Sequence, residues 1–100
     1  MSVFVMLHVP GDPNTFEKYA ANNADLMRRV AEAGRAAGAI HHAFGAADGE
    51  IVVIDEWPSE AAFKAFFDSQ PEIPTIMRDG GAQGAPTTVF YRKLDTPDVF

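Results

Sequence analysis

Glu50-Ile51-Val52-Val53-Ile54-Asp55-Glu56-Trp57-Pro58-Ser59-Glu60-Ala61-Ala62-Phe63 carries one strand directly into one helix. The first eight residues form a short, bounded run rich in β-branched side chains, which is a strand's composition. Pro58 has no backbone N–H to give a ladder, so the strand ends there. Ser59 then opens a helix whose buried stripe is Phe63, Phe66 and Phe67. Trp57, the only tryptophan, stands at the strand's end, where sheets often open a pocket.

Upstream of this junction, Asp48-Gly49 tolerates the positive φ of a tight hairpin turn. A weaker strand, 39–47, leads into it. Before that, 16–37 follows a 3.6-residue period. Phe16, Tyr19, Ala20, Met27, Val30, Ala31, Gly34 and Ala37 share one face, and the charges share the other. This reads as one helix, with Pro13 at its first position, an Asn14-x-x-Glu17 capping box and Gly38 as its end. Asn23 falls within the apolar stripe, so it must find hydrogen-bond partners or end a helical segment. The run 2–9 is the first strand. Downstream, Pro71 and Pro74 break the second helix, leaving a short helical turn over 73–78. A glycine-rich stretch, 80–86, is a connector or a flap; it lacks the lysine and spacing of a phosphate-binding loop. The last strand is 87–94.

The order is β-α-β-β-α-β, an α+β ferredoxin-like arrangement: one four-stranded antiparallel sheet with both helices on one face. One hundred residues make a single domain, 1–100. Such a sheet should alternate apolar and polar if its second face were wet. These strands do not alternate. Val3, Val5, Leu7 and Val9 oppose Phe4, Met6 and His8, and Ile51 and Val53 oppose Val52 and Ile54. The simplest cover for the second face is the same face of another copy, so the sequence predicts a homodimer with sheets packed face to face.

The net charge of −6 lacks the clustered Lys and Arg that nucleic acid or an anionic membrane needs. No segment reaches the ~20 apolar residues of a membrane span. With no cysteine, disulfides, thiolate catalysis and cysteine metal sites are excluded. The start, 3–7, is too short for a signal-peptide core. The expected location is cytoplasmic, and the expected partners are a second copy and a small hydrophobic or aromatic ligand.

With that layout the chain resembles the dimeric α+β barrel superfamily, and within it the antibiotic-biosynthesis monooxygenase type. The residues that carry the resemblance are 54–63, a third strand ending in Trp57 followed by a Ser-x-x-Ala-aromatic helix start. The resemblance implies cofactor-independent oxygenation, with Trp57 stacking on a planar substrate. Haem-degrading members pair that tryptophan with an asparagine on strand one and a histidine in helix two; this chain has neither. Polyketide oxygenases set asparagine, tryptophan and tyrosine around the substrate; here Trp57 matches, Tyr91 lies on another strand, and Asp55 is not an amide.

The site residues expected from this reading are His8 and Asp55 as proton acceptors, with Trp57, Phe4, Met6, His42, Tyr91 and Arg92 around the substrate. His8 interrupts an apolar strand, and an imidazole titrates near neutral pH. It serves as a base if the Phe4-Met6-His8 face lines the interior, and as a structural residue otherwise. Asp55 shares the face of Trp57. A carboxylate on a buried face can take a proton, or Asp55 can pair with Arg92 at the rim. Glu56, on the other face, reads as an edge charge. His41 and His42 are adjacent and point to opposite faces, so no metal site is expected. No cofactor is expected either; the alternatives are haem held by His8 or His42, and a non-catalytic binding or stress-related dimer.

Overall fold

The computed structural model describes residues 1–100. Its elements run β1 (Val3–Pro10), α1 (Pro13–Asn22), α2 (Ala24–Ala36), β2 (His41–Ala47), β3 (Glu50–Trp57), α3 (Glu60–Ser69), α4 (Glu72–Asp79) and β4 (Thr87–Arg92). The strands form one sheet in the order β2-β3-β1-β4, with every pair antiparallel. This is the ferredoxin-like α+β arrangement, with each of the two expected helices divided in two.

The first division is at Asn23, whose backbone leaves the helical region at φ −129° and ψ 39°. Its side-chain amide donates to the Tyr19 carbonyl at 2.9 Å. An amide in an apolar stripe thus satisfies itself locally and ends α1, which a side chain with backbone-like donors can do. The second division is the expected one, at Gln70-Pro71. The cap of α1 is Asp12 rather than Asn14. Its carboxylate accepts from the Asn14 N–H at 3.3 Å and from the Thr15 hydroxyl at 2.8 Å, which leaves Pro13 at the first turn. Ser59 caps α3 by accepting from the Ala62 N–H at 3.1 Å.

Val5, Leu7 and Val9 of β1 and Ile51 and Trp57 of β3 point toward the helices and are buried. The buried residues fall into two clusters, Val5-Trp57-Phe63 and Leu7-Val9-Ile51, with Phe67 packed against both. Only 12 of 100 residues are buried, so much apolar surface faces either the space under the helices or the uncovered side of the sheet. That uncovered side carries three cross-strand rows: Thr87-His8-Val52-Gly45, Val89-Met6-Ile54-Ala43 and Tyr91-Phe4-Glu56-His41. Phe4, Ile54 and Tyr91 are exposed there at 37%, 40% and 51%.

Glu56, expected as an edge charge, is buried on the uncovered face. It is only 5% exposed. The Ser2 hydroxyl and the Lys93 ammonium, 3.2 Å away, both donate to its Oε2, and His41 lies 3.8 Å from its other oxygen. The Ser2 hydrogen bond first, and then Lys93, hold the Glu56 carboxyl below its ordinary value of 4.5. A folded-state value below the unfolded one contributes stability above the unfolded value and loses it as pH falls through the folded one. Unfolding in urea should therefore show a loss of stability below about pH 4.5. Glu56→Gln should flatten that loss and cost about 1–3 kcal/mol at pH 7. An unchanged acid limb in the variant would remove Glu56 from this role.

Candidate functional site

The Asp48-Gly49 turn pairs Ala47 with Glu50, and Gly49 supplies the positive φ of 72°. Each step back along β2 then matches one step forward along β3, which brings His42 opposite Asp55. Both lie on the helix-facing side, in the parity of Ile51, Val53 and Trp57. Counting outward from that turn finds this pair in the sequence, and it is the signal that reasoning about single residues passes over.

His42 Nδ1 is 2.7 Å from Asp55 Oδ1, and the Trp57 indole N–H donates to Asp55 Oδ2 at 3.0 Å. A carboxylate accepts only, so His42 donates through its Nδ1–H, and in the neutral ring that tautomer leaves the lone pair on Nε2. Asp55 is 7% exposed, and both its oxygens are engaged. Asp55 is thus placed to orient the His42 ring, and His42 is the member of the pair whose second ring nitrogen is left without a partner. The arrangement repeats the logic of a histidine oriented by a buried carboxylate.

This pair opens onto an apolar cavity of about 130 Å³ between the sheet and the helices. Leu7, Val9, Ile51 and Val53 form its floor. Met27, Val30 and Gly34 of α2, Phe63, Phe66 and Phe67 of α3, and Ile76 and Met77 of α4 form its walls. Arg29 and Glu72 form an ion pair that ties α2 to α4. Trp57 lines the cavity but is 1% exposed. Its ring meets Phe63 edge-on at 5.8 Å and Phe66 at 5.5 Å. Phe44 of β2 lies 4.9 Å from Phe16 and 5.1 Å from His42, ring centre to ring centre. These three rings flank the cavity along the edge strand.

Of the expected site residues, the structure gathers Asp55, Trp57 and His42 at one place. It separates the others from them. His8, Phe4 and Met6 lie on the opposite face of β1, because the parity that buries Val5, Leu7 and Val9 turns them away from the helices. His8 instead pairs through Nδ1 with Glu50. Tyr91 is opposite Phe4 and shares that uncovered face. Arg92 is exposed at the sheet margin, opposite Val3. It does not line the cavity, and the second oxygen of Asp55 goes to Trp57 rather than to it. Phe16 and Phe44 are lining residues the sequence reading passed over. Phe44 was concealed by the weak composition of its strand. No group of three or more His, Asp or Glu side chains is placed to hold a metal ion, and no helix is long and apolar enough to cross a membrane.

No family model matches the chain, and no curated protein sequence matches it. Its structure is similar to several solved ones. One is a monooxygenase from the gene ActVA-Orf6 of Streptomyces coelicolor, in complex with the ligand nanaomycin D. It is 22% identical over 97% of this chain and 93% of that one, with a TM-score of 0.64. Another is SnoaB, a cofactor-independent oxygenase from Streptomyces nogalater, 18% identical over 98% and 97%, with a TM-score of 0.61. A third is a conserved protein from Methanosarcina mazei, 15% identical over 94% of both chains, with a TM-score of 0.68. At these identities the likeness is one of backbone: this chain has the fold of antibiotic biosynthesis monooxygenase-like structures.

Proposed function

We propose that the chain is a cofactor-independent monooxygenase acting on a small hydrophobic phenol or enol, with His42 as its proton acceptor. The observation that carries this reading is the His42–Asp55–Trp57 hydrogen-bonded set at the wall of an otherwise apolar cavity. An imidazole with a free Nε2, oriented by a buried carboxylate, is a general base suited to neutral pH. The surrounding apolar walls offer the substrate anion no competing polar partner and leave it to react with O₂. A phenol oxidised in this way becomes a quinone. One oxygen atom of O₂ enters the ring, the other leaves as water, and the substrate supplies all four electrons. The two Streptomyces proteins of the same fold, a monooxygenase and a cofactor-independent oxygenase, support the reaction class.

The partner in this reading is a second copy of the chain, packed on the uncovered face of the sheet. Covering what remains exposed of Phe4, Met6, Ile54 and Tyr91, about half or less of each, contributes up to about 0.5–1.5 kcal/mol per side chain on each copy. That is enough to offset much of the association cost of about 4–15 kcal/mol. The cavity lies on the helix side, so pairing leaves it open to ligand.

The test of the reaction is oxygen uptake with a panel of electron-rich phenols, under ¹⁸O₂ and with a chelator present. The expected product carries one ¹⁸O atom and forms without added flavin or metal. Uptake that begins only when a flavin or metal is supplied, or none with any phenol or enol, would overturn the proposal.

A further inference from the structure

Seventeen of the 21 residues lining the cavity are hydrophobic, and the remaining four are Gly34, Gly80, His42 and Asp55. The lining therefore holds one hydrogen-bond acceptor free for a ligand, His42 Nε2, and no Lys or Arg. Its one carboxylate is already satisfied by His42 and Trp57. The volume of about 130 Å³ is close to the ~150 Å³ of an apolar cavity that takes up a benzene. Phe16 and Phe44 limit growth along the edge strand. Phe16 rests directly on Gly80, where an added Cβ would come within 2.9 Å of its ring. Phe44, 41% exposed, bridges Phe16 and His42.

From these facts we infer that the site selects a neutral single-ring phenol by size and charge, with Phe44 as the side chain that sets the size limit. The inference rests on the proposed use of this cavity and adds what it admits. One aromatic ring fills the volume, and its hydroxyl donates to His42 Nε2. A carboxylate in the same place would lie beside Asp55 with no Lys or Arg to offset its lost hydration, and could gain a counter-charge only by protonating His42, which disfavours it. A second fused ring has no space while Phe44 and Phe16 hold their positions.

The test is an NMR titration read at the indole N–H resonance of Trp57, the only tryptophan in the chain. The probes are phenol, benzoate and 2-naphthol. Phenol should bind at least about tenfold more tightly than either of the others, the range that one misfitted group commands in an apolar pocket. Phe44→Ala should close the gap between phenol and 2-naphthol by about tenfold. Phe44→Leu, which keeps the edge strand apolar, should move the same ratio in the same direction by less. Benzoate binding as tightly as phenol, or 2-naphthol binding more tightly than phenol to the unaltered chain, would overturn the selection.

The titration needs no turnover, so the two readings fail separately. If the expected ordering holds while no phenol is oxidised, the selection stands and the oxygenase falls. If oxygen uptake depends on His42 but proceeds only with fused-ring phenols, the oxygenase stands and the selection falls.

Discussion

Replacing His42 by alanine is expected to lower turnover of a phenol substrate by about 10²–10⁴-fold, the contribution of a positioned general base. Asp55→Asn should approach the same loss by a different route. An amide can present its NH₂ group to the imidazole and favour the tautomer with Nδ1 bare, which removes the lone pair from Nε2. Trp57→Phe keeps a ring in the cavity but withdraws the donor from Asp55 Oδ2. Its expected effect is smaller than that of either pair member, because the carboxylate that orients His42 has lost one hydrogen bond but keeps the other. The three variants separate proton transfer from packing. A purely structural role for the pair would lower thermal stability and leave the per-molecule rate of the folded fraction intact. His8→Ala serves as the control, since His8 lies on the other face and pairs with Glu50.

The second large effect concerns the uncovered face. Ile54 occupies the middle row of the sheet there, between Met6 and Ala43, and is 40% exposed in a single chain. In a face-to-face pair related by a two-fold axis, one substitution alters both sides of the contact. Ile54→Lys removes a buried apolar side chain and introduces an unpaired ammonium on each copy. It should weaken association by at least about tenfold, since the 40% of Ile54 still exposed in one chain carries about 0.6–1.2 kcal/mol of transfer energy on each copy, with the unpaired ammonium adding to the loss. Analytical ultracentrifugation at micromolar concentration should show a dimer for the unaltered chain and a monomer for the variant. A monomeric unaltered chain would contradict the paired arrangement. It would leave the cavity chemistry untouched, because no residue of the uncovered face lines the cavity.

The strand from Glu50 to Trp57 could be read residue for residue, because a turn with Gly49 at positive φ bounds it on one side and Pro58 on the other. The break at Asn23 could not, since the apolar period runs through it unchanged. Only the satisfaction of one amide by the Tyr19 carbonyl ends the first helix. Strand parity was the costliest ambiguity. A sheet that is apolar on both faces gives no pattern by which to choose, so His8, Phe4 and Met6 looked as suitable for the interior as Val5 and Leu7. Burial decides the matter, with Val5 and Leu7 at 1% and 3% exposure. The His42–Asp55 pair was legible in principle through the hairpin register. The composition of β2 hides it, because His41 and His42 stand side by side in a weak strand and nothing in either residue alone marks Asp55 as the partner of one of them.

Crystallography of the chain soaked with a single-ring phenol tests the account most directly. The expected result is a ring enclosed by Leu7, Val53 and Phe67, with its hydroxyl about 2.7–3.0 Å from His42 Nε2. A phenol seated on the uncovered face beside His8, or one whose hydroxyl points away from His42 into the apolar wall, would contradict it.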